Sequence, residues 1–310
     1  MSKSTSKERI MIVDSISRRP YGVKLSVLLD DSTRMMLHGK ACLLTDTDYI
    51  INVRPIQSRV TGQADTVPGF RAWEIFVEGF ATAGEAEKKG LEIAFGILWG
   101  AISERYSVRL QYQTPLPCVV YDRTRQGSGS LAVSTSATFI LGKSLASIAT
   151  AINEGLSSQE RGNEKLLLAM ELFASARQES TERSRFVGLV SSLEPLAEQQ
   201  SYTGEVSGMI DRFKDQIKEL KLLPHIEASL SGRIANLSTE SVSSAIRRVV
   251  KETLPDDSEA LRIIEDAYNL RSRILHDGTT DADLNQKSRE VETVVRRVIA
   301  SRAALNLRVS

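Results

Sequence analysis

The chain is poor in the residues from which disulfide frameworks and metal centres are built. Its 310 residues include two cysteines and three histidines. Cys42 and Cys118 stand beside apolar residues, Leu43-Leu44 and Val119-Val120. That is the setting of buried, reduced thiols rather than of a disulfide. His38, His225 and His276 are far apart, and none lies in a CxxC or HExxH context. No metal and no cofactor is therefore expected. No apolar run approaches the length of a membrane span. The opening residues, Met1 to Ile10, carry charge but no apolar core and no small-residue cleavage pattern. They read as the frayed end of a cytoplasmic protein.

An excess of charge is missing too. The formal net charge is +1. Residues 161–310 hold 22 Lys/Arg and 23 Asp/Glu, and the first 160 hold 18 and 16. Neither half has the basic surplus of a nonspecific nucleic-acid binder, so any RNA contact must be local, through a few arginines. Such low charge also permits self-association. One phosphate-binding motif fails by a single residue. Gly142-Lys143-Ser144 looks like the end of a P-loop, but the glycine required five residues earlier is Ala137. A helix start explains the triplet.

What is present is the composition of a globular protein long enough for two domains. Residues 1–142 read as a mixed α/β domain. Met11–Asp14, Val23–Leu29, Thr33–Leu37, Ile50–Arg54, Ala72–Gly79, Val108–Tyr112, Cys118–Tyr121 and Leu131–Leu141 have strand composition. Among them Ala83–Glu104 repeats apolar residues at helical spacing. Residues 143–163 read as a link, in which a short helix at Ser144–Ile152 runs into polar sequence. From residue 164 onward only helices are expected, at Glu164–Arg177, Thr181–Gln200, Val206–Leu222, His225–Ala235, Ser241–Glu252, Asp257–Leu275 and Leu284–Leu305. Pro195 predicts a break near Leu193–Glu194. The fold class is thus α+β, a mixed N-terminal domain followed by a helical bundle.

The informative stretch is Tyr268-Asn-Leu-Arg271-Ser-Arg273-Ile-Leu-His276-Asp277-Gly278, at the end of a helix whose apolar residues are Leu261, Ile264, Tyr268 and Leu275. A purely structural account is available. His276 would favour the helix C-terminus, Gly278 would cap it, and Arg271 would pair with an acid such as Glu265 or Asp266.

The same stretch resembles the Arg-x4–6-His motif of the HEPN superfamily, and is most similar to its Apea-like branch. Glu164 to Glu198 resembles the helical pair that opens such domains, with Phe186, Leu193 and Glu194 at its marked positions. Pro195 departs from the pattern. The resemblance spans about the last 150 residues. It implies a metal-independent ribonuclease of a defence or toxin-like system, in which an RNA 2′-OH attacks the adjacent phosphate. Arg271 would face the phosphorane oxygens and His276 would move protons. Arg273 is a second candidate phosphate ligand, Asp277 a candidate orienter of the imidazole, and Glu194 a supporting residue. On an ideal helix, five residues separate Arg271 and His276 by about 140°. They converge only where the helix ends between them or across a dimer interface, and HEPN sites commonly form at such an interface. The resemblance equally allows a non-catalytic dimeric adaptor. The N-terminal half would then serve as sensor, regulator or platform for a protein or ligand.

Overall fold

The computed structural model describes residues 19–30, 50–55, 70–111, 116–125, 145–278 and 280–307. The strands expected at Met11–Asp14, Thr33–Leu37 and Leu131–Leu141 lie outside these residues, as do His38, Cys42 and the Gly142–Ser144 triplet. The described chain is α+β, an N-terminal antiparallel sheet followed by helices.

Five strands form the sheet: β1 (Tyr21–Asp30), β2 (Ile50–Pro55), β3 (Phe70–Phe80), β4 (Val108–Gln111) and β5 (Val119–Asp122). Their order is β2-β3-β1, with β4 and β5 end to end along the far side of β1. In β1, Val23, Leu25 and Val27 are buried and alternate with the less buried Lys24 and Ser26. One face is therefore covered throughout, while on the other Lys24 and Ser26 are half-buried and Leu28 is buried.

The cover is helix α1 (Ala83–Glu104). Thr82 and Glu85 start it with a reciprocal cap: the Thr82 hydroxyl accepts from the Glu85 N–H, and the Glu85 carboxylate accepts from the Thr82 N–H. From Ile93 to Ser103 every residue is buried, so the second half of α1 is enclosed on all sides. The enclosing elements are the sheet, α2 (Leu145–Ser157) and α3 (Glu164–Ala176).

Residues 143–163, read as a link, are thus mostly helix. α2 runs to Ser157, and a 3-10 turn covers Gln159–Gly162. Helix α2 crosses α1 at glycines. A Cβ on Gly155 would stand 2.9 Å from the Gly96 Cα, and one on Gly96 would stand 2.9 Å from the Ile152 carbonyl oxygen. Ser158, just beyond α2, donates to the carbonyl of Ala303 near the chain's end. The polar composition of Asn153–Asn163 concealed the last turn of α2, which packs on α1 through close glycine contacts together with Ile152 and Leu156.

The remaining helices are α4 (Glu182–Ser191), α5 (Glu205–Glu219), α6 (Pro224–Asn236), α7 (Val242–Thr253), α8 (Ser258–Asp277) and α9 (Leu284–Arg302). One continuous core joins β1, β3, α1, α3, α4, α7, α8 and α9. Arg296 of α9, only 4% exposed, stitches the helices to the sheet layer by donating to the carbonyls of Ile102 and Ser103 at the end of α1. Helices α5 and α6 pack on each other and contribute nothing to that core. No helix among the described residues is long and apolar enough to cross a membrane.

Candidate active site

The site is assembled by a helix break and a helix end. Helix α4 stops at Ser191, and after Ser192 and Leu193 the chain makes a 3-10 turn over Glu194–Leu196. Pro195 lies in the first turn, where its missing N–H costs nothing. Glu194, the first residue of this turn, faces α8.

Helix α8 begins on Asp257, whose carboxylate accepts from the Ala260 N–H. It ends at Gly278, which has φ 72° and donates its N–H to the Ile274 carbonyl. Its buried stripe is Ala260, Ile264, Ala267, Leu270 and Ile274. Leu261 and Tyr268 are half-buried, but Leu275 is 56% exposed. The expected apolar position at Leu275 is thus a solvent position. A seven-residue step, taken twice from Leu261, drifts off the stripe of a straight helix.

Arg271 reaches across to the α4 end. Its Nε donates to Ser191 Oγ at 3.0 Å, and one terminal nitrogen lies 2.7 Å from Glu194 Oε1. The guanidinium carbon sits 5.6 Å from the centre of the Tyr268 ring, one turn earlier on α8. The side chain is 18% exposed, so it is held rather than solvated. Glu265 and Asp266, the acids expected beside it, pair instead with Arg247 and Arg262.

Three other candidates are placed differently. Arg273, His276 and Asp277 are exposed, and their side chains make no hydrogen bond or ion pair with other described residues. Asp277 does not orient the His276 imidazole through a hydrogen bond. Because α8 is unbroken from Arg271 to Asp277, the side chains of Arg271 and His276 leave its axis about 140° apart. The structure brings together Arg271 and Glu194, with Ser191 and Tyr268 around them. It does not bring His276 to that cluster within one chain.

Ser191 is the residue that sequence reasoning missed. Its signal is position: it ends α4 three residues before Glu194, so both face the same neighbour when the helix breaks. An open depression of about 530 Å³ lies nearby, lined in part by Leu196, Gln199, Arg248 and Arg302, and holds none of these site residues. No group of three or more His, Cys, Asp or Glu suited to a metal ion occurs among the described residues.

Compared with family models, curated proteins and solved structures, the chain matches none.

Proposed function

We propose that residues 164–310 form a HEPN-like helical domain that cuts RNA without a metal ion, as part of a cytoplasmic defence or toxin-like system. The observation that carries the reading is the Arg271–Glu194 pair. The resemblance singled out two distant stretches, one for Arg271 and one for Glu194, and the fold joins them. Arg271 is an oriented cation whose fork suits a phosphate, and His276 is an exposed imidazole on the last turn of the same helix. Their divergence on one helix makes the reactive pair a composite of two copies, with Arg271 of one protomer facing His276 of its partner. In-line attack by the 2′-OH leaves a 2′,3′-cyclic phosphate and a free 5′-OH. The sheet half would then sense or bind the regulator.

A second reading has its own support. Ser191 and Glu194 already occupy two of Arg271's nitrogen positions, which suits a dimeric adaptor whose Arg271 only ties α8 to the end of α4. Expression toxicity and RNA end mapping separate the two. The nuclease predicts toxic wild type, cyclic-phosphate ends, and loss of both in His276→Ala. Absence of cleavage from wild type leaves the adaptor, and cleavage that persists in His276→Ala removes His276 from the mechanism.

A further inference from the structure

Nine of the eleven exposed large hydrophobic residues among the described residues fall between Tyr202 and Leu237, in and around the hairpin of α5 and α6. On α5 and its C-cap they are Val206, Met209, Phe213 and Leu220. Three of these, Val206, Phe213 and Leu220, are spaced by seven. Around α6 they are Leu223, Ile226, Leu230 and Leu237, and again three, Leu223, Leu230 and Leu237, are spaced by seven. Seven-residue spacing is the pattern of helices that seat their apolar edge against other helices in a bundle. Within the hairpin only Ile210 and Ile217 are buried, while α6 buries no residue at all. The two helices thus satisfy each other along one edge and leave the adjoining edge uncovered.

The hairpin stands apart from the main core but is firmly rooted. Its base is a short backbone ladder in which Tyr202 donates to Ser238 and Glu240 donates to Gln200. Arg248 locks the base by bonding Glu240 and the Glu198 carbonyl. A rooted hairpin with a wet apolar edge is an incomplete four-helix bundle.

We propose that this edge pairs with the same edge of a second copy of the chain, forming an intermolecular four-helix bundle. Three features select a second copy. The exposed fractions run from 36% to 65%. At about 175 Å² per large apolar side chain they leave roughly 750 Å² per hairpin, close to the ~800 Å² that each partner contributes to a standard interface. Residues 203–237 carry five acidic and five basic side chains, so two copies do not repel. Two antiparallel helices with matching stripes are self-complementary about a two-fold axis, the commonest symmetry for such pairs. The inference does not depend on RNA cleavage.

Sedimentation equilibrium of the full chain from about 1 to 100 µM, a range in which interfaces of this size associate, is the test. Wild type is expected at twice the 34.2 kDa chain mass. Phe213→Glu with Leu230→Glu is expected to weaken association at least 100-fold, the order seen when central apolar anchors are lost. Leu220→Lys, at the most exposed of these positions, gives the same reading should the double variant unfold. Wild type that stays monomeric throughout overturns the proposal. So does a dimer of undiminished affinity in folded variants; that result places pairing elsewhere and leaves the composite nuclease site standing.

Discussion

Arg271 and Glu194 meet at 2.7 Å across two helices, and Ser191 holds the same guanidinium at 3.0 Å. The pair fastens the break after α4 to the last turns of α8. With the Arg271 side chain 18% and the Glu194 side chain 37% exposed, solvent screens the attraction only in part. A double-mutant cycle of Arg271→Ala and Glu194→Ala measures the coupling by thermal or urea unfolding. The expected value is about 0.5–1.5 kcal/mol, since contacting residues couple and partial exposure limits the strength. A value indistinguishable from zero means that the ion pair does not organise the site. The cycle also calibrates the nuclease assay, because Arg271→Ala loses stability as well as a phosphate ligand, whereas exposed His276→Ala should leave the melt unchanged.

Much of this arrangement is written locally. Helix α1 runs from Ala83 to Glu104, the limits that its periodicity and its Thr82–Glu85 cap dictate. Gly278 ends α8 because a left-handed cap favours a residue without a Cβ. Pro195 correctly marks the break near Leu193–Glu194. The rest depends on partners distant in sequence. Ser191 lies 80 residues from Arg271, and no local pattern announces their meeting. Arg296 has its partners, the carbonyls of Ile102 and Ser103, 194 and 193 residues away. The last turn of α2, beyond the expected end at Ile152, was obscured because it docks through Gly155, which carries no hydropathy signal. Leu275 was misplaced because a sevenfold step and a 3.6-fold helix agree only over short stretches.

Chelation tests the chemistry. If His276 and Arg271 move the protons and hold the phosphate, cleavage needs no divalent ion. Cleavage is expected to be unchanged, within about twofold, in millimolar EDTA, a loss far below the ~100-fold or more that removing a catalytic metal's contribution costs. The 3′ ends should be cyclic phosphates by end labelling and mass spectrometry. Activity that EDTA abolishes and one divalent ion restores contradicts the mechanism.

The root of the α5–α6 hairpin has a pH signature. Arg248 bonds the Glu240 carboxylate, and the Gln200 N–H adds a second bond; together they hold its pKa below the ordinary value despite burial. A carboxylate with a depressed folded pKa stabilises the fold above its unfolded pKa, about 4.3. That contribution disappears as pH falls through the folded value. Glu240→Gln should therefore cost about 2 kcal/mol at pH 7, the scale of hydrogen bonds to a charged group. The difference from wild type should shrink as pH falls below the unfolded value, about 4.3, because the unfolded carboxyl then takes up a proton that the folded one resists. Urea titrations at pH 7 and pH 3.5 check both points. An equal difference at the two values assigns the loss to packing rather than charge.

The glycine crossing of α1 and α2 is tightly constrained, because backbone atoms stand 2.9 Å from a Cβ placed at Gly155 or at Gly96. Gly155→Val would drive a branched side chain into the Gly96 Cα, 2.9 Å from the new Cβ, and into Trp99, whose Cβ is equally close. Trp99 is fully buried and cannot swing aside. Backbone on the far side must move, so the substitution is expected to cost at least 2–3 kcal/mol, at the upper end of ordinary overpacking, about 1–3 kcal/mol. Gly155→Ala is expected to cost about 1–2 kcal/mol, because the methyl group meets the same atoms but the gain in helix propensity, close to 1 kcal/mol, offsets part of the strain. The control is Gly162→Ala, in the following 3-10 turn, where a Cβ meets nothing within 4 Å. Thermal melts followed by far-UV circular dichroism rank the three variants. The order Gly162→Ala, Gly155→Ala, Gly155→Val from mildest to most severe supports a tight α1–α2 crossing. Equal melts for Gly155→Val and wild type mean that α2 does not dock on α1, and that residues 143–163 behave as the link their composition suggested.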